Sequence, residues 1–303
     1  MEEFASTSAG DHFSPQQIKK AAQALSERYR KGETPYLRAL EDRHAYLVTR
    51  LPATQAALRP VFQELQGSQI SSYLDIGAGP GTSWEVAVEV FPGIEQATFV
   101  ELDREFIKLG KERLEGKPIT WINESAVNLD VKPHDIVLFS YSWGEIKNLS
   151  VLIKAWALCR QFIVIVEPGT PQGYAAMLEA RDELIKKGGH VMAPCPHSHK
   201  CPWQGSLEWC HFGVRLQRSQ EHQWVKEGSR GFEDEKFSYT ILSKKSVRPP
   251  FGRMVKDSLR RKGHTILTLC TENGIELKTI SKKQKEYKSN NKLKWGDKVI
   301  DNI

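Results

Sequence analysis

Apolar and polar positions along this chain alternate in a way that predicts a helical preface, then a strand and helix alternation, then a run of strands. Ser14-Pro15-Gln16-Gln17 is a helix start, with Ser as N-cap, Pro at the first helical position and Gln where it closes a capping box. The helix it opens is predicted to run to about Arg30. Two more stretches with amphipathic spacing, about Pro35 to Val48 and Ala53 to Gln66, follow it. Tyr29, Arg30 and Tyr36 on this preface read as packing residues before they read as substrate contacts. Strands are then predicted at Ser72 to Ile76, Ala97 to Glu101, Pro118 to Ile122, Asp135 to Tyr141 and Phe162 to Glu167, separated by helical patterns. That alternation argues a parallel, doubly wound sheet whose ligands sit at the C-terminal ends of the strands.

The first strand runs directly into Leu74-Asp75-Ile76-Gly77-Ala78-Gly79-Pro80-Gly81-Thr82, and Ser83 to Phe91 reads as the following helix. Three glycines remove the side chains that would keep a ligand away from the backbone, so the turn is a nucleotide-type site. A dinucleotide fingerprint spaces its glycines as Gly-x-Gly-x-x-Gly. Here they fall at 77, 79 and 81, with Asp75 two positions before the first. That spacing resembles the first motif of class I S-adenosylmethionine-dependent methyltransferases. The resemblance implies cofactor contacts from Asp75, Gly77, Ala78, Gly79 and Gly81. It also implies an acidic residue at the end of the second strand, accepting from the ribose hydroxyls, and Glu101 stands there. Asp103 reads as the N-cap of the next helix. Asn123-Glu124-Ser125, after the third strand, offers a contact for the adenine edge, with Glu124 as candidate.

Methyl transfer asks mainly that the acceptor be aligned for in-line attack, because the sulfonium is already activated. Families that methylate exocyclic base amines carry Asn or Asp, then Pro-Pro and an aromatic, at the fourth strand. This chain has Ser140-Tyr141-Ser142-Trp143 there. Ser140, Tyr141, Glu145 and Glu167 are the catalytic candidates. Tyr141 and Trp143 suit either base stacking or the core.

At 303 residues with 40% hydrophobic content, the chain can bury one full core and part of a second. No apolar run approaches the ~20 residues of a membrane span. Met-Glu-Glu-Phe at the start has neither a secretory nor a transit-peptide pattern, so the expectation is a cytoplasmic, bacterial-type protein without a membrane partner, and a monomer. Charge is uneven. From Lys244 to Lys298 there are 16 Lys and Arg against 5 Asp and Glu, a surplus larger than the whole chain's net charge of +6, so the remainder is acidic. A basic face on an otherwise acidic protein is the electrostatic footprint of a nucleic-acid partner.

Three of the five cysteines and three histidines fall between Cys195 and His211, in Cys195-Pro196-His197-Ser198-His199-Lys200-Cys201-Pro202-Trp203 and Glu208-Trp209-Cys210-His211-Phe212. Cys270 lies in the basic part, and Cys159, on an apolar helix, reads as core. Clustered cysteines in a reducing compartment are ligands more often than disulfides. The gaps are wider than the two to four residues of zinc ribbons. Irregular, proline-containing loops can wrap an iron–sulfur cluster held by four thiolates, and Cys270 would complete four. Spacing leaves zinc, held through Cys and His, and iron–sulfur both open. Beyond them, Tyr239 to Leu242, Arg253 to Asp257, Thr265 to Cys270 and Ile275 to Ile280 read as strands, with Glu272-Asn273-Gly274 as the turn. Arg260-Arg261-Lys262 and Lys282-Lys283-Gln284-Lys285 flank them, with Tyr287 and Trp295 nearby, a mixture suited to phosphate contact and base stacking on RNA.

The cysteine string, downstream of the Gly-rich loop and of Glu167-Pro168-Gly169-Thr170-Pro171, resembles the methyltransferase-like family associated with the small ribosomal subunit. Leu25-Ser26-Glu27-Arg28-Tyr29-Arg30, Phe237-Ser238-Tyr239 and Lys294-Trp295-Gly296-Asp297 extend the likeness over nearly the whole chain. The resemblance implies a Rossmann-like class I methyltransferase domain and a [4Fe-4S] cluster on Cys195, Cys201, Cys210 and Cys270, with His197, His199 and His211 supporting it. It implies binding to small-subunit ribosomal RNA and assembly intermediates. The expected organisation is a helical extension at 1–68, the methyltransferase-like domain at 69–190, a cysteine-rich segment at 191–243 and a basic β extension at 244–303. Two other readings remain open at this point: an active rRNA methyltransferase, and a zinc-binding, RNA-binding module on a degenerate methyltransferase fold.

Overall fold

In the computed structural model the described residues are 13–31, 38–226 and 230–300, so Tyr36 and the side chains of Tyr29 and Arg30 lie outside the description. In chain order the elements are α1 (Pro15–Lys31), α2 (Leu40–Gln63), β1 (Ser72–Ile76), α3 (Trp84–Val90), β2 (Gln96–Val100), α4 (Arg104–Arg113) and β3 (Ile119–Ile122). There follow β4 (His134–Ser140), α5 (Trp143–Ile146), α6 (Leu149–Leu158), β5 (Cys159–Pro168), α7 (Pro171–Lys186), β6 (His190–Ala193), β7 (Phe212–Gln217) and α8 (Gln220–Val225). The chain closes with β8 (Phe232–Ser243), β9 (Gly252–Met254), β10 (Leu259–Arg260), β11 (His264–Thr271), β12 (Gly274–Ser281), α9 (Tyr287–Asn290) and β13 (Lys298–Val299). Two compact units divide it: Met1–Leu129 with Val214–Glu235, and Asp130–Gly213 with Lys236–Ile303.

In the first unit β3, β2 and β1 pair in parallel in that order, with Leu74 opposite Thr98 and Phe99 opposite Trp121. Every residue of β1 is buried, as a strand with both faces covered requires. The helical preface is fixed by one buried ion pair. Arg28 on α1 grips Asp42 with both terminal nitrogens, at 2.9 and 2.6 Å, and Asp42 also accepts the Arg38 and Ala39 N–H groups at the start of α2. Around it Ile18, Ala21, Ala22, Ala45 and Val225 form an apolar cluster. The sequence predicts two helices here, whereas α2 is continuous, with Pro52 and Pro60 inside it. Each proline deletes one backbone donor, but buried Thr49, Ala53, Ala56 and Ala57 keep the helix in register across Pro52.

In the second unit the order is β4-β5-β8-β6, and here the sheet departs from the all-parallel expectation. β4 and β5 are parallel, while β8 is antiparallel to both β5 and β6. Sequence placed Tyr239 to Leu242 at the end of the cysteine-rich segment, outside the methyltransferase-like domain. The structure puts it inside the main sheet, because Phe237 through Ser243 are buried on both faces. Cys159 opens β5 rather than riding on a helix, and is buried as expected. A second sheet carries β10-β11-β9-β13, with β12 paired to β11 through the Asn273-Gly274 turn. Met254, Leu267, Leu269, Ile280 and Val299 form its core. Among the described residues, no helix is long and apolar enough to cross a membrane.

Candidate cofactor and metal sites

Gly77, Gly79 and Gly81 all adopt positive φ, at 78°, 56° and 75°, so the loop needs residues without a Cβ penalty. The glycines differ in what surrounds them. A Cβ on Gly81 would sit 2.7 Å from Leu114 Cδ1 and 2.9 Å from Phe99 Cε2, so that glycine serves packing. A Cβ on Gly79 would meet only Tyr46 Oη, at 3.9 Å, so that position has room beside it. Gly77 and Ala78 donate their N–H groups to Val100 O, Gly81 donates to Ala78 O, and Gly79 donates to Glu101 Oε2 at 2.8 Å. A phosphate cradle presents such groups to its ligand. Here they are committed to protein acceptors, which suits a ligand without phosphate.

Glu101 closes this loop. Its other oxygen accepts from the Leu102 and Asp103 N–H groups at 2.8 and 2.9 Å. Three of a carboxylate's roughly four acceptor positions are therefore occupied, leaving about one for a ribose hydroxyl. Burial pushes its pKa up, against the pull of those N–H groups. Asp75 lies beneath, 1% exposed. Its Oδ2 accepts from Ser83 Oγ at 2.5 Å, while Oδ1 is buried without a hydrogen-bond partner among the described residues. Burial, foremost, lifts it to about 7. Asp103 caps α4 as expected, accepting from the Glu105 and Phe106 N–H groups, and Arg43 on α2 pairs with it. Asn123 donates to the Glu101 and Leu102 carbonyls. Glu124 is exposed beside it, and Ser125 caps a short 3-10 turn.

In the second unit, the candidates after β4 are largely engaged in holding their own turn. Tyr141 sits at φ 57° and donates its N–H to Val166 O at 2.7 Å. Trp143 is 2% exposed, packs edge-on against Phe139 and donates Nε1–H to Ala176 O. Of the two roles the sequence leaves open for Trp143, the structure gives the core. Glu167 is buried and accepts the Gly144 N–H at 3.0 Å, and burial pushes it up to about 7. Ser140 Oγ is buried with no hydrogen-bond partner among the described residues, and Glu145 is exposed.

The cysteines converge although 75 positions separate the first from the last. Cys195 follows β6, Cys201 and Cys210 lie on the loop before β7, and Cys270 sits near the end of β11. All four line one pocket together with His197 and Arg253. Burial pushes the Cys195, Cys210 and Cys270 thiols up, Cys270 beyond the normal thiol range, and their neighbouring sulfurs add to it for Cys210 and Cys270. Among the described residues, no group of three or more His, Cys, Asp and Glu closes on a single point as the ligands of one metal ion would.

Three side chains that sequence did not single out, and His197, which it did, surround this pocket. Arg181 on α7 is fully buried; its Nη2 donates to the His197 and His199 carbonyls at 3.0 and 2.9 Å. Arg253, read in sequence as the start of a strand in the basic part, is 2% exposed and donates to Pro194 O and Gly296 O, both at 2.9 Å. Tyr174 Oη donates to Cys201 Sγ at 3.1 Å, and His197 Nε2 lies 3.6 Å from Cys270 Sγ. A lone Arg or Tyr carries no local signal of burial, so only the three-dimensional neighbourhood reveals them. His199 stacks on His197, and His211 stacks on Trp209 and meets Trp295 edge-on. Tyr287 and Trp295 are therefore packing residues: the former lies against the second sheet's core. Arg260, Arg261, Lys262, Lys282, Lys283 and Lys285 remain exposed.

These features define a Rossmann-like mixed α/β protein with a loop suited to a nucleoside-type ligand and a separate four-thiol pocket. The chain belongs to the family described as mitochondrial small ribosomal subunit Rsm22, whose model matches residues 40–300. It is 26% identical to the human ribosome assembly protein METTL17, mitochondrial, over 76% of this chain and 55% of that one. The chain thus spans about half the length of that curated relative. Solved structures similar to it include the plantazolicin methyltransferase BpumL in complex with SAH (14% identity, TM-score 0.41, covering 76% of this chain and 95% of that one). A putative RNA methyltransferase from Pyrococcus horikoshii (15%, 0.43, 75% and 97%) is similar too. So is a SAM-dependent methyltransferase from Aquifex aeolicus (11%, 0.44, 77% and 100%).

Proposed function

We propose that this chain is an assembly factor of the small ribosomal subunit. In this reading it binds S-adenosylmethionine at the Gly77–Gly81 loop, carries an iron–sulfur cluster on Cys195, Cys201, Cys210 and Cys270, and docks on ribosomal RNA through its basic C-terminal sheet. The observation that carries the reading is the meeting of four sequence-distant thiols in one pocket, in a member of a small-subunit family. Four thiols lining one pocket match the four cysteine ligands that such a cluster takes, and their gaps in sequence are wider than the two to four residues of zinc ribbons.

For the cofactor, the supporting observations are a loop with its N–H groups internally committed and a buried carboxylate oxygen at Asp75 without a partner, both compatible with a cationic ligand that has no phosphate. When bound, S-adenosylmethionine supplies an activated methyl group. Glu101 and Gly79 hold the loop shape, and Asp75 and Ser83 fix its base. Trp143 and Glu167 are held by backbone partners, which favours cofactor binding over methyl transfer. The cytoplasmic location and monomeric state expected from sequence belong to the same proposal.

The test is binding of the purified chain to small subunits from cells lacking it, across a salt series. Binding should weaken steeply with salt, and Lys282→Ala with Lys283→Ala should lower the slope by about one per phosphate contact removed. Weak, salt-insensitive binding would contradict the RNA reading. Labelled S-adenosylmethionine in the same mixtures should bind without labelling RNA; label in the RNA would favour an active methyltransferase.

A further inference from the structure

The cysteine pocket is enclosed by polar donors and buried cations to a degree that holding four neutral thiols does not call for. Arg181 is 0% exposed and Arg253 2%. Burying a guanidinium is costly unless it meets an anion or a full set of acceptors. Arg181 has Asp182 at 2.7 Å and the two loop carbonyls, yet its Nε remains a buried donor with no partner among the described residues. Arg253 itself lines the pocket. Each arginine also ties down the chain beside a thiol: Arg253 holds the carbonyl just before Cys195, and Arg181 holds the carbonyls at 197 and 199, between Cys195 and Cys201. Tyr174 directs its hydroxyl at the sulfur of Cys201 and His197 its ring at that of Cys270.

We propose that Arg181, Arg253 and Tyr174 are positioning residues for the anionic centre that the four cysteines form, Arg181 and Arg253 compensating its charge and Tyr174 donating to the Cys201 sulfur, so that together they raise its reduction potential. The inference rests on the iron–sulfur reading above and assigns functions to residues outside the ligand set. Four thiolates give a cluster a net negative charge, and reduction adds one electron more. Fixed cations and donors to the sulfurs favour that more negative state, which is how a protein tunes such a potential. Arg253 additionally links this centre to the turn before β13, through Gly296 O.

The experiment is an anaerobic optical redox titration of the full chain, with iron and sulfide analysis on each sample. It compares wild type with Tyr174→Phe, Arg253→Lys, Arg253→Met and Arg181→Met. Tyr174→Phe removes one hydroxyl from a packed ring, so it should keep the wild-type iron and sulfide content while its midpoint potential moves down. Arg253→Met should move it further down, or lose iron, and Arg253→Lys should recover most of the wild-type potential because the charge is kept. Unchanged potentials in Tyr174→Phe and in whichever methionine variants retain iron would overturn this inference and leave the cluster reading intact. A wild-type protein with neither iron nor sulfide would overturn the cluster reading first, and this inference with it.

Discussion

Replacing Gly81 by alanine puts a methyl group into the packing beneath the loop, and the cost can be worked out beside Gly79→Ala. Both positions have positive φ, 75° and 56°, so both variants carry a left-handed penalty of about 1–2 kcal/mol. At Gly79 the added carbon meets nothing closer than 3.9 Å, and the penalty ends there. At Gly81 it meets Leu114 at 2.7 Å, Phe99 at 2.9 Å and Trp121 at 3.1 Å. Phe99 and Trp121 are locked edge-to-face at 5.0 Å and cannot both retreat. Overpacking of this kind adds about 1–3 kcal/mol. Gly81→Ala should therefore lose more stability than Gly79→Ala by that difference, a factor of roughly 5 to 150 in the folding equilibrium. Urea unfolding followed by circular dichroism reads it directly, and calorimetric titration with S-adenosylmethionine adds the second half. Gly79→Ala, folded but with a methyl on the open side of the loop, should bind the cofactor at least tenfold more weakly. Equal stabilities for the two variants would refute the packing argument, and unchanged affinity in Gly79→Ala would refute the loop as the ligand's seat.

The buried carboxylates make stability depend on pH. Asp75 is lifted from 3.8 to about 7 by burial, so the native state keeps a proton that the unfolded chain releases, and stability falls as pH rises from about 4 to about 7. Three units correspond to about 4 kcal/mol; Asp75→Asn should remove that share of the slope and leave the part due to Glu167, and an unaltered slope would contradict it. Arg28→Ala should cost about 3 kcal/mol in urea unfolding, because it strands a buried Asp42. The double variant Arg28→Ala with Asp42→Ala should recover part of it, and no recovery would mean that the loss comes from packing alone.

What could be read in the sequence follows from how local the physics is. Strand ends, the Gly-rich turn and the Asp103 cap rest on contacts within a few residues, and they appear where the pattern puts them. The merging of two expected helices into α2 depends on packing across Pro52. The insertion of β8 between β5 and β6 depends on pairings such as Val164 with Ile241, which no local pattern encodes. At the loop, sequence located Glu101 but not the Gly79 N–H that occupies it. At the cysteines it found the four thiols, whose residue type is rare enough to stand out. It missed Arg253, because a buried arginine in a basic stretch reads like its exposed neighbours, and Tyr174 and Arg181 on α7, because a lone Tyr or Arg carries no local sign of burial. Tyr287 and Trp295 looked available for stacking on bases for the same reason, and the structure packs them instead.

The account turns on what the four thiols hold. The measurement that tests it most directly is iron, sulfide and zinc analysis with an absorbance spectrum, on protein purified without oxygen, for the native chain and for Cys201→Ser. Cys201 is buried and lines the pocket with the other three. The account predicts about four irons and four sulfides per chain, with visible cluster absorbance, and loss of both in the variant. Stoichiometric zinc without iron, or iron content unaffected by Cys201→Ser, would contradict it.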